Sequence, residues 1–108
     1  MKEDILKKLR QLNMKSNYRM GLAGSISRGC ETDNSDIDIV VDTNDMPISD
    51  MNVIKDLLKE YNRNVDVLCL GLLKDEDEEL DNFMKENDLP VNDESVYKTI
   101  MKEVIWVA

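Results

Sequence analysis

Apolar residues recur along this chain with two different periods, and the switches between them outline the elements. Across residues 3–13, Ile5, Leu6, Leu9 and Leu12 share one helical face opposite lysines and Arg10. Tyr18 to Ala23 reads as a first strand, with Met20 and Leu22 alternating with smaller neighbours. Gly24 and Ser25 end it, and Ser25 is placed to cap a short helix through Arg28. Gly29 to Ser35 is a loop rich in turn formers. Asp36 to Val41 then predicts a second strand burying Ile37, Ile39 and Val41.

Pro47 and Ser49 introduce a helix to about Tyr61, striped by Met51, Ile54, Leu57, Leu58 and Tyr61. Asn62 to Asn64 turn the chain into a third strand, Val65 to Leu70. Beyond Gly71 the pattern thins. Leu80, Phe83 and Met84 suit a short acidic helix closed by the Asn87 to Pro90 region. Asp93 can cap a last helix to about Lys102, followed by a terminal strand from Val104 to Ala108. This order predicts an α/β (α+β) sandwich, with helices flanking a small mixed β-sheet.

Two carboxylates break the strand pattern. Asp38 lies within Ile37-Asp38-Ile39-Val40-Val41, and Asp66 within Val65-Asp66-Val67-Leu68-Cys69-Leu70. An ionised carboxylate in a sheet interior costs several kcal/mol unless it is paired or bound to a metal. Each could pair with Arg or Lys or lie at a solvated strand end. Taken together they support a sharper reading. Asp36 and Asp38, two apart in a strand, project from one face with Cα atoms roughly 6.5 Å apart. A third carboxylate on a neighbouring strand would complete a site for two hard cations, suited to in-line displacement at phosphorus.

An Asp-x-Asp pair alone is weak evidence, since Asp75-Glu76-Asp77 fits it as well. Gly24-Ser25, separated from Asp36 by ten residues, adds specificity. Glycine permits close backbone approach, Ser25 offers a hydroxyl, and Arg28 can reach phosphate oxygens. An ordinary strand-to-helix turn is the alternative for Gly24-Ser25.

Composition narrows the chemistry further. At 108 residues, with 42% hydrophobic residues, the sequence suits a single folded domain over 1–108. Histidine is absent, which removes Ser/His and Cys/His nucleophilic schemes and zinc–histidine sites. Cys30 and Cys69 form no CxxC pair, and Cys69 sits in an apolar run. The net charge of −9 disfavours non-specific nucleic-acid binding. Most of that charge is expected on solvated surface, especially Asp75, Glu76, Asp77, Glu78, Glu79 and Asp81. No apolar run is long enough to span a membrane and no signal-peptide core is present, so a cytoplasmic location is expected.

Gly24-Ser25, ten residues, Asp36-Ile37-Asp38 resembles the signature of the polymerase-β-type nucleotidyltransferase superfamily. The longer string GSISRGCETDNSDIDIVVD is similar to its minimal nucleotidyltransferase (MNT) branch, whose members typically read GSxARG followed by SDIDL. Asn64-Val65-Asp66-Val67 corresponds to the third-aspartate strand of that branch. Ile100 to Trp106 is similar to its C-terminal segment. Ser27, where alanine is common, and Cys30 are departures.

The resemblance implies the nucleotidyltransferase fold and ATP as nucleotide substrate. It makes Asp36, Asp38 and Asp66 the catalytic and magnesium-binding carboxylates, for two ions, with manganese as an alternative. Gly24, Ser25 and Arg28 become phosphate contacts. Members of the branch are often antitoxins paired with HEPN-domain ribonuclease toxins, and some inactivate the toxin by transferring AMP to a tyrosine. The expectation is therefore a protein adenylyltransferase acting as a type VII-like antitoxin. A non-catalytic antitoxin that docks on its toxin is one alternative. A small-molecule nucleotidyltransferase is another, although such enzymes normally carry a further acceptor-binding domain.

Overall fold

The computed structural model describes residues 1–13, 18–91 and 95–107. Its elements run α1 (Lys2–Asn13), β1 (Met20–Ala23), α2 (Gly24–Ser27), β2 (Ile37–Val41), α3 (Ile48–Leu57), a 3-10 turn (Lys59–Tyr61), β3 (Val65–Cys69), α4 (Leu70–Glu86), α5 (Val96–Glu103) and β4 (Ile105–Val107). The four strands form one mixed sheet in the order β3-β2-β1-β4. β1 pairs antiparallel with β2 and with β4, whereas β2 and β3 are parallel. Parallel pairing needs a crossover, which α3 supplies. The α/β sandwich expected from the sequence is the fold observed.

Strand alternation divides the sheet into two differently used faces. Met20, Leu22, Ile37, Ile39, Val41 and Val107 face the main core, where Ile5 and Leu9 of α1 and Ile54 of α3, with Leu58 just beyond it, cover them. The other face carries Ala23 and Val40 beneath Leu70 and Ile100, with Val104 and Trp106 packed at its edge. Gly21 makes that edge possible: a Cβ there would collide with Val104 Cγ2 and crowd Trp106. Asp38 and Asp66 belong to this second, thinner face.

Several boundaries differ from those read in the sequence. The first strand begins at Met20 rather than Tyr18. Ser25 does not cap α2, because it is the second helical residue and Ala23 holds the cap position without a side-chain bond. Asp36 stands just before β2 rather than within it. The predicted helix to Tyr61 is split, with α3 ending at Leu57 ahead of the 3-10 turn, and Asn62 then adopts a left-handed conformation, φ 53°. Asp93, the expected cap of the last helix, lies outside the described residues. Ser95 performs that role, its side chain accepting from the Lys98 N–H. Ala108, the last residue of the expected terminal strand, is also outside the described residues.

The largest difference is α4. Instead of a short helix around Leu80, a 17-residue helix begins directly at the end of β3. Gly71 obscured it, because glycine disfavours a helix interior. Here the side chain of Asn44 occupies the space a Cβ would take, so glycine is required for packing. The acidic run therefore lies on one helix, and it is not all solvated. Asp77 is only 7% exposed and pairs with Lys98 of α5, which also chelates both Asp81 oxygens at 3.1 Å.

Removing Lys98 would strand that buried charge. Lys98→Met should lower stability by about 3 kcal/mol, the usual cost of an uncompensated buried ion. Urea unfolding would measure it, and a loss near zero would mean that Asp77 finds water. No helix among the described residues is long and apolar enough to cross a membrane.

Candidate active site

The site lies where β1 ends and the parallel strands β2 and β3 begin. Register sets it up: Ala23 is the antiparallel partner of Asp38, and Asp38 is the parallel partner of Asp66. The Asp66 carboxylate reaches hydrogen-bonding range of Asp38, and Asn64 Nδ2 donates to Asp66 Oδ1 at 3.1 Å.

Asp38 is pushed up to about 6 from an ordinary 3.8. Burial is the main cause, followed by the negative charges of Asp66, Asp36 and Glu103 and by the hydrogen bond with Asp66. Among the described residues neither Asp38 nor Asp66 has a salt-bridge partner. The pairing with Arg or Lys that the sequence left open is therefore not used. The nearest cation in sequence, Arg63, instead donates to the carbonyls of Thr32 and Ser35 at 2.6 and 2.9 Å. With the Ile37 N–H bonded to the Asn64 carbonyl, this pins the loop that delivers Asp36 against the start of β3.

Gly24 closes the site from above. Its φ is +75°, and a Cβ would fall on the Asp38 carboxylate. The turn after it is held by its own groups: Ser27 Oγ donates to the Gly24 carbonyl at 2.6 Å, and the Cys30 N–H to the Ser25 carbonyl at 3.0 Å. The Ser25 hydroxyl has no hydrogen-bond partner among the described residues and is left available. The Gly24 N–H donates to Glu103 Oε1 at 3.0 Å, and Arg28 Nη1 donates to Glu103 Oε2 at 3.1 Å.

All six residues expected at the site thus fall in one region, although not equally close together. Asp38, Asp66 and Gly24 are packed together. Asp36 is exposed and acts on Asp38 through its charge. Among the described residues no three acidic or thiol groups converge tightly enough to enclose a metal ion. The two facing carboxylates of Asp38 and Asp66 offer hard oxygen donors of the kind magnesium takes, alongside water and phosphate oxygens. The donor set therefore suits such an ion.

Sequence reasoning missed Glu103 and Arg63. Glu103 lies 79 positions from Gly24, and the end of an amphipathic helix carries no local sign of such a contact. Arg63 could have been suspected as a basic residue one step from the Asn64-Val65-Asp66 motif.

Residues 2–107 match the family model described as a nucleotidyltransferase domain. No curated protein and no solved structure matches the chain.

Proposed function

The chain belongs to the nucleotidyltransferase domain family, and we propose that the nucleotidyl group it transfers is AMP from ATP, delivered to a tyrosine of a partner HEPN-type toxin. The observation behind the chemistry is the Asp38–Asp66 pair, two facing carboxylates without a salt-bridge partner among the described residues, beside a glycine turn whose donors are already engaged by an anionic group.

In this reading the acceptor phenol oxygen attacks the α-phosphorus of ATP. The new O–P bond forms as the bond to the β-phosphate bridging oxygen breaks, and pyrophosphate leaves with that electron pair. Asp66 accepts the phenol proton. Gly24 N–H, the Ser25 hydroxyl and Arg28 orient the triphosphate, so that attack and departure lie in line. Asp38 and Asp66, joined by Asp36 from the exposed edge of the site, would hold magnesium or manganese, which would supply Lewis-acid polarisation and neutralise charge on the phosphates.

The protein acceptor rests on two supports. One is the likeness of GSISRGCETDNSDIDIVVD to the MNT branch. The other is a net charge of −9, which disfavours a nucleic-acid acceptor and favours encounter with a basic protein.

Purified chain, magnesium and labelled ATP should mark the toxin encoded beside it. RNA, DNA and aminoglycosides should stay unlabelled. The label should vanish in an Asp36→Asn, Asp38→Asn double variant that still binds the partner. Label on RNA ends or on an antibiotic would overturn the protein acceptor. A double variant that still neutralises the toxin would assign the protection to docking instead.

A further inference from the structure

Glu103 sits at the junction of α5 and β4, where the chain returns to the sheet. Its side chain is 13% exposed, and each of its carboxylate oxygens accepts from a donor on the Gly24–Arg28 turn. The two donors differ in kind: one is a backbone N–H whose position is fixed by the positive φ of Gly24, and the other is a guanidinium. A backbone amide and an arginine converging on two oxygens of one anion is the arrangement that binds a phosphate.

A carboxylate in that position is electrostatically expensive. It joins Asp36, Asp38 and Asp66, all of like charge, and its effect is felt at Asp38. Arg28 is the one cation with which Glu103 forms a salt bridge among the described residues. A triphosphate entering the same turn would bring further negative charge against Glu103, so the two anions compete for one pair of donors.

We propose that Glu103 is an internal stand-in for a nucleotide phosphate: it occupies the Gly24 N–H and Arg28, and ATP binds by displacing its carboxylate from both. The exchange keeps the turn shaped and its donors satisfied before nucleotide arrives, since a part-buried N–H without a partner is destabilising. It also lowers affinity for nucleotide, because each ATP must first break the internal contact. Once displaced, Glu103 lies at the rim of the site, and the α5–β4 corner that bears it becomes sensitive to whether nucleotide is bound.

This inference rests on reading Gly24 and Arg28 as phosphate donors, and the experiment separates the two ideas. ATP affinity would be measured by calorimetry for wild type, Glu103→Gln, Glu103→Ala and Arg28→Ala. Glutamine is nearly isosteric and its one carbonyl oxygen can still accept from Gly24, but its NH2 cannot accept from Arg28 and it carries no charge. Glu103→Gln should therefore bind ATP roughly tenfold more tightly, about 1.4 kcal/mol. Arg28→Ala should bind more weakly.

If Arg28→Ala weakens binding while both Glu103 variants bind no better than wild type, displacement is wrong and Glu103 merely positions the turn. If adding Arg28→Ala to Glu103→Ala, where no carboxylate competes for the guanidinium, leaves affinity unchanged, the phosphate reading itself fails. A wild-type measurement decides the matter even if the variants unfold. With 13C-labelled glutamate, the Glu103 carboxyl resonance should shift on saturation with ATP or inorganic triphosphate. A bound nucleotide that leaves this resonance in place overturns the proposal.

Discussion

Asp38→Asn will abolish nucleotidyl transfer and, in the same protein, raise the stability of the metal-free fold at neutral pH. Both effects come from one charge. Asp38 is partly buried beside two other aspartates, with no salt-bridge partner among the described residues, and its carboxyl is raised to about 6. In the unfolded chain the same group titrates near 3.8. Between these values the folded protein holds the proton more tightly than the unfolded one. Stability is therefore lost as pH rises through the window, and the ionised form is the unfavourable one above it. Asparagine never ionises, so the variant avoids that loss.

Melting temperatures of wild type and variant in chelator should diverge from about pH 4 to about pH 7, with wild type falling relative to Asp38→Asn. Magnesium or manganese should reverse the order by stabilising wild type alone. Transfer should fall at least about 10³-fold, equivalent to several kcal/mol of charge stabilisation in the transition state. Parallel pH curves in chelator would mean that Asp38 is solvated. Appreciable transfer by the variant would remove it from the chemistry.

That conflict between stability and function is what made the site legible in the sequence. A strand written Ile-Asp-Ile-Val-Val is locally inconsistent, and Val-Asp-Val-Leu-Cys repeats the inconsistency on another strand. Register places the two anomalies side by side, as a functional reading requires. Hydrophobic period also located α1, β2, α3 and β3, because each buries one continuous face.

What escaped the sequence depends on contacts between distant residues. The first turn of α4 is marked by a glycine that local propensity counts against a helix, and its reason is Asn44, 27 positions away by their numbering (71 − 44). Asp77 looks like one more surface acid until the α4–α5 packing sets Lys98 against it. Glu103 is legible only once β4 pairs with β1 and brings the end of α5 to Gly24. In each case, local pattern names the element but not the partner.

Gly24→Ala tests how tightly the turn and the carboxylates are built together, with Gly29→Ala as its internal control. Both glycines have positive φ, +75° and +72°. An L-residue there costs roughly 1–2 kcal/mol in backbone strain, so both variants should lose about that much stability. Their surroundings then separate them. A Cβ at Gly29 meets nothing within 4 Å, whereas one at Gly24 lands on the Asp38 carboxylate, with Asp38 Cγ at 3.2 Å and Cβ at 3.5 Å. Asp38 cannot retreat without leaving β2, where its backbone lies between Ala23 and Asp66. Relief must come from turning its carboxylate away or from lifting the Gly24 turn, and either change spoils the geometry for in-line attack. A displacement of about 1 Å in such a site can cost roughly 10²-fold in rate. Gly24→Ala should therefore remain folded yet lose at least about that much transfer, while Gly29→Ala keeps most of its activity. Equal rates in the two variants would show that close approach of Gly24 to Asp38 has no part in the reaction.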